Sequence, residues 1–330
     1  MYETDRPPQG GFVPPPEEVR RAAGRYLKKR SDYLSLAIIV NLLLLYLLQT
    51  GVAWLVVRLV RATLPAGWLD VVNELYTVLV YGTAFLLPYL AYARAVRFPL
   101  GSIPRDRPYP PVLAASAGVV LGLSVAGLIL SYFCALFFAQ FGLMPPDMEL
   151  TIPERPLTAA LFFLNIAVVP ALVEEFTYRG IVLGSLRPWG DRFAVGVSAL
   201  LFALLHRNMA QFPNALLMGL ALGYFLVKTN SIWTSVALHF CNNLVVLLVQ
   251  LWTQGLDPVG QALGHGLLLL FDLGACAAAV WYFYSRRLDL RMRPSLCPLR
   301  EGECLRRYFL NPPALLLLGL YLWVIYLNFT

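Results

Sequence analysis

The sequence predicts an all-α fold, a polytopic transmembrane helix bundle of about 8–9 spans with its N-terminus in the cytoplasm. Three observations lead there. Hydrophobic residues make up 58% of the chain and charged residues only 14%, whereas soluble domains hold about 45–50% apolar and about 25% charged residues. The apolar residues come in long runs, which suits spanning helices rather than a barrel. The 26 Lys and Arg flank those runs instead of gathering in one patch. The net charge of +7 therefore reads as a topology signal and not as a nucleic-acid surface.

Residues 1–32 are polar, hold Pro7, Pro8, Pro14, Pro15 and Pro16, and end in Arg25, Lys28, Lys29 and Arg30. They read as a disordered, basic N-terminal tail. No cleavable signal is visible, because the first apolar run starts near Tyr33 and is too long for the core of a signal peptide. From there to residue 330 the chain reads as one membrane domain. Its apolar runs lie at 33–57, 71–93, 111–141, 157–186, 193–206, 212–228, 231–252, 262–285 and 312–328. The fifth and sixth fall short of the roughly 20 residues that cross a bilayer, so they are expected to sink below one surface. Pro88 and Pro170 fall inside runs and are expected to kink their helices. The tail and the loop between Arg286 and Arg307 each carry seven Lys/Arg, which places both in the cytoplasm, while the opposite segment near 142–156 carries Asp147, Glu149 and Glu154. Five cysteines without a close Cys-x2-Cys pair indicate neither a disulfide framework nor a zinc ribbon.

Polar residues inside such runs need a reason, since an ionisable group at the centre of a span costs about 2.5–3.5 kcal/mol on insertion scales. Three clusters stand out. Glu174, Glu175 and Arg179 close one apolar stretch, His206 ends another, and His239, Asn242 and Asn243 sit inside a third. Counted at 1.5 Å per residue from their cytoplasmic ends, Glu174 lies about 18 Å deep, His206 about 20 Å and His239 about 12 Å. Three helices thus bring polar groups to one layer.

Glu175 and Arg179 are four apart in the favourable order for a helical ion pair. Glu174 points about 100° away with no local partner of opposite sign, which suits a general base. His239 and Asn243 share a helix face and can both donate to an oxyanion, or can serve as polar glue between helices. A zinc set of Glu174, His206 and His239 is conceivable. The helical His-Glu-x2-His motif is absent, however, and Asn243 is a poor zinc ligand, so no metal or other cofactor is the favoured expectation.

The ordered set Glu174-Glu175-x3-Arg179, Phe202-x3-His206 and His239-x3-Asn243 resembles the CPBP family of intramembrane proteases, the type II CAAX prenyl endopeptidases and their bacterial Abi relatives. Gly219-x3-Gly223-Tyr224 and Ser231-Ile232-Trp233 fit the same pattern. The resemblance spans about 157–252, the catalytic core it would imply. It implies an intramembrane endopeptidase in which Glu174 and His206 activate water, His239 and Asn243 stabilise the oxyanion, and Glu175 with Arg179 support the site. The implied partners are the bilayer and a protein or peptide substrate, lipidated in the eukaryotic members. The implied location is a multi-pass membrane protein, at the plasma membrane if bacterial. Competing readings are a non-catalytic membrane scaffold or immunity factor, and a transporter or proton pathway using the buried Glu/His cluster.

Overall fold

The computed structural model describes residues 16–143 and 151–327. Residues 1–15 of the expected tail, and the segment 144–150 with Asp147 and Glu149, lie outside the described residues. Among the described residues all regular elements are helical, and the only bridge between extended segments pairs Arg105 with Ser231. The helices are α1 (Pro16–Leu47), α2 (Ala53–Thr63), α3 (Leu69–Ala95), α4 (Pro110–Ala139), α5 (Pro156–Phe163), α6 (Val169–Glu174), α7 (Gly184–Leu186), α8 (Asp191–Leu205), α9 (Phe212–Thr229), α10 (Ile232–Thr253), α11 (Pro258–Ser285), α12 (Glu301–Phe309) and α13 (Pro312–Leu327). Among the described residues seven helices or unbroken helix runs are long and apolar enough to cross a membrane, and α12 with α13, bent by 73°, would make an eighth.

The fifth expected run, 193–206, is α8. Its 15 residues span about 22 Å at 1.5 Å each, short of the roughly 30 Å hydrocarbon core. Its N-terminus and the C-terminus of α9 lie on the same face, so α8 and α9 form a hairpin dipping into the bundle. Gly219 makes their close packing possible, because a Cβ there would stand 2.9 Å from the Ala199 Cα.

That shared face is where the basic segments converge. Asn230 donates to Asp106 at 2.9 Å and the Ile232 amide to the Pro104 carbonyl at 2.9 Å. The Ser295 hydroxyl donates to the Trp189 carbonyl at 3.1 Å, and the Trp189 indole to the Ala23 carbonyl at 3.2 Å. Arg20 pairs with Glu303 at 2.9 Å. Segments that charge alone assigned to one side are therefore in mutual contact.

Residues 16–32 correct the expectation of a disordered tail. They are the first half of α1, which begins at Pro16 with Glu17 and Glu18 in its first turn, where carboxylates favour the helix dipole. Buried Gly24, Leu27, Ser31, Leu34, Ile38, Asn41 and Leu45 recur every three or four residues and extend one stripe through polar and apolar halves alike. Ser31 anchors the polar half by donating to the Tyr308 carbonyl at 2.6 Å and accepting from Asn311 at 2.8 Å.

Both internal prolines sit opposite an asparagine of another helix. A helical proline leaves the carbonyl four residues before it without its amide donor. For Pro88, inside α3, that is the Ala84 carbonyl, which accepts from the buried Asn41 side chain at 2.7 Å. For Pro170, in the first turn of α6, it is the Ile166 carbonyl, which accepts from Asn243 at 3.1 Å. With no water in the bilayer core to take these carbonyls, a crossing amide is the available partner.

Candidate active site

Residues Pro156–Trp189 form one continuous apolar helix, interrupted twice by π-helical turns, Leu164–Val168 and Glu175–Leu183. A π turn is rare and tends to occur where side chains must be re-aimed for function. Here the second one begins at Glu175, beside Glu174. The Tyr178 carbonyl within it accepts from Ser198 of α8 at 2.8 Å, so the widened turn keeps a partner for its backbone.

Glu175 and Arg179 form the expected ion pair, at 2.9 Å and with both side chains fully buried. The Arg179 guanidinium lies over the Phe202 ring, 4.2 Å from its centroid, and reaches the Gly219 carbonyl at 3.4 Å. His239 places Nδ1 at 2.9 Å from the same Glu175 oxygen. An ionised carboxylate only accepts, so Nδ1 carries the proton and Nε2 is left as the free ring nitrogen. That nitrogen faces Glu174 Oε2 across 3.9 Å. The two adjacent glutamates thus grip opposite sides of one imidazole, which a regular helix with 100° between neighbours does not suggest.

Glu174 has a partner that sequence reasoning missed. The Tyr81 hydroxyl of α3 donates to its Oε1. Tyr81 belongs to a stripe with Phe85, Tyr89 and Tyr92 that runs along the site helix. Tyr81 and Phe85 stack at 4.6 Å, the Tyr89 and Tyr178 hydroxyls pair at 3.0 Å, and Tyr92 meets Ser185 at 2.8 Å. The spacing of four, four and three was the available signal, because it marks a helix face.

His206 sits just beyond α8, half-buried, with Nδ1 3.2 Å from the Phe202 carbonyl. The histidine within ion-pair distance of Glu174 is His239. The edge of Phe202 contacts both rings, at 5.3 Å for His206 and 5.9 Å for His239. Together His206, His239, Asn242 and Asn243 line a cavity of about 360 Å³, which Gln211 and Asn214 also border. Asn243 Nδ2 donates to the Ile166 carbonyl at 3.1 Å, and its Oδ1 accepts from Asn242 at 3.3 Å.

The arrangement can hold a water between an anionic oxygen and a ring nitrogen, and the ring of His239 also lines the cavity. For a metal, the proposed set of Glu174, His206 and His239 is not gathered. Among the described residues no three His, Cys, Asp or Glu side chains are close enough together to hold an ion.

Residues 156–245 match the family described as type II CAAX prenyl endopeptidase Rce1-like, and the match includes Glu174, Glu175, Arg179, His206, His239 and Asn243. The family supports a function of the intramembrane CAAX protease kind. No curated protein and no solved structure is a match for the chain.

Proposed function

We propose that the protein is an intramembrane endopeptidase that cleaves a membrane-associated protein or peptide by water that Glu174 activates. The observation that carries this reading is the pairing of Glu174 with His239 across 3.9 Å inside a bundle of membrane-spanning helices. A single water can donate to both groups, since a polar gap of that length is the kind that a water bridges. Glu174 takes a proton as general base, while Tyr81 holds its other oxygen.

Glu175 and Arg179 keep His239 in the tautomer and orientation that present Nε2, as a carboxylate behind a catalytic imidazole does elsewhere. His206 and Asn243, both on the cavity wall, are the donors we assign to the oxyanion. His206 and His239 therefore exchange the roles that the motif order implied. Substrate enters as an extended chain along the cavity, whose wall includes the polar side chain of Asn214.

Metal-free chemistry is the form we favour, because the helical His-Glu-x2-His motif is absent and Asn243 is a poor zinc ligand. The test is purified protein in proteoliposomes with a candidate membrane peptide, products read by mass spectrometry, before and after prolonged chelation. Cleavage that survives chelation supports the reading. Cleavage lost on chelation and restored by one divalent metal moves Glu174, His206 and His239 into ligand roles.

A further inference from the structure

A second built feature lies on the face where the basic segments converge, away from the glutamate cluster. The segment after α11 folds back over the end of α9. Tyr224 donates to the Leu290 carbonyl at 2.6 Å and Lys228, one turn on, donates to the Arg291 carbonyl at 3.2 Å. Pinning the backbone by its carbonyls leaves the Arg291 and Arg293 side chains exposed. They rim a pocket of about 430 Å³ that Arg187, Asp191 and Lys228 also line. Asp191 pairs with Arg187 at 2.8 Å, so one carboxylate stands against four cations.

Arg291 is shared with a second cavity, of about 690 Å³, that runs along α4, α9 and α11 between Val119, Phe225, Val280 and Phe283. Its outer wall is exposed and apolar, with Val280 at 57% and Tyr284 at 83% accessible. None of these side chains belongs to the glutamate–histidine cluster. A cationic pocket and an apolar groove thus share Arg291 as a common wall, at the end of the spanning helices.

We propose that this pair of cavities binds one anionic phospholipid, with its phosphate against Arg291, Arg293 and Lys228 and an acyl chain in the groove of α4, α9 and α11. The occupant follows from complementarity of both halves. A free anion would not account for the groove, and a zwitterionic lipid would not account for four cations. Basic pockets between helices at a membrane surface read as lipid headgroup sites on the same physical grounds. The inference stands apart from the proteolytic reading, since its readout is lipid retention rather than hydrolysis.

Native mass spectrometry of the full-length protein in detergent tests it, with phosphatidylglycerol and phosphatidylcholine supplied at equal concentration. Retention of one phosphatidylglycerol at least about tenfold over phosphatidylcholine is expected, which corresponds to about 1.4 kcal/mol of preference. Arg291→Gln with Arg293→Gln should bring the two lipids level. Val280→Trp, which fills the groove from an exposed position, should lower retention of both. Melting temperatures within a few degrees of wild type establish that each variant is folded. Equal retention of the two lipids by wild type, or unchanged selectivity in the double arginine variant, overturns the proposal. So does displacement of the lipid by millimolar inorganic phosphate, which would reduce the site to an anion pocket.

Discussion

Replacing Glu175 by glutamine removes the charge from the oxygen that holds both Arg179 and His239 at 2.9 Å. It leaves a guanidinium unpaired in a fully buried place, which typically costs about 3–5 kcal/mol. Glu175→Gln should therefore lower the detergent melting temperature and the yield of folded protein. Adding Arg179→Met should recover part of the loss, because it withdraws the stranded charge. A Glu175→Gln variant as stable as wild type would contradict the buried pairing. The two histidines should separate in the same way. His239→Gln loses the contact with Glu175 and should cost stability as well as activity, whereas His206→Gln should lower the turnover number with little change in melting temperature. Five of the six candidate site residues stand out in the sequence as ionisable side chains in apolar runs, and Asn243 because it shares a face with His239. Tyr81 was not, since a tyrosine in such a run carries no cost that demands explanation. The π turn at Glu175 was also hidden, and with it the convergence of both glutamates on His239.

The prolines give the clearest case at the scale of a helix. Asn41→Leu leaves the Ala84 carbonyl without its partner, and an orphaned buried acceptor costs about 1–3 kcal/mol. In a Pro88→Ala background the alanine amide can take that carbonyl within the helix, so the same Asn41→Leu change should cost less. Melting temperatures of the two single variants and the double variant measure the coupling. Independent, additive effects would mean that Asn41 serves the proline in no way. The positions of Pro88 and Pro170 were plain in the sequence, but the asparagines that answer them were not, because nothing local links residues 41 to 88 or 243 to 170. The polar half of α1 was obscured differently. Composition over 16–32 resembles a solvated tail, and only the stripe of Gly24, Leu27 and Ser31 reveals that one face is covered.

For the molecule as a whole, hydrophobic runs made the helical bundle legible, while the α8–α9 hairpin required a count of residues against bilayer thickness. The basic segments meet on one face, which the positive-inside tendency assigns to the cytoplasm. Cys304 is buried and Cys297 half-buried, so neither reports well on sidedness. Leu296 is fully exposed in the same loop. Leu296→Cys should resist an impermeant thiol reagent added to intact cells and react once the membrane is opened; reaction in intact cells would invert the topology. What such a bundle does is settled most directly by one substitution at its centre. Glu174→Gln keeps the size of the side chain and removes the base. Wild-type protein in proteoliposomes should cleave a membrane peptide substrate. The variant, with an unchanged melting temperature, should do so about 10²–10⁴ times more slowly. Cleavage by folded Glu174→Gln at the wild-type rate would contradict a glutamate-activated water.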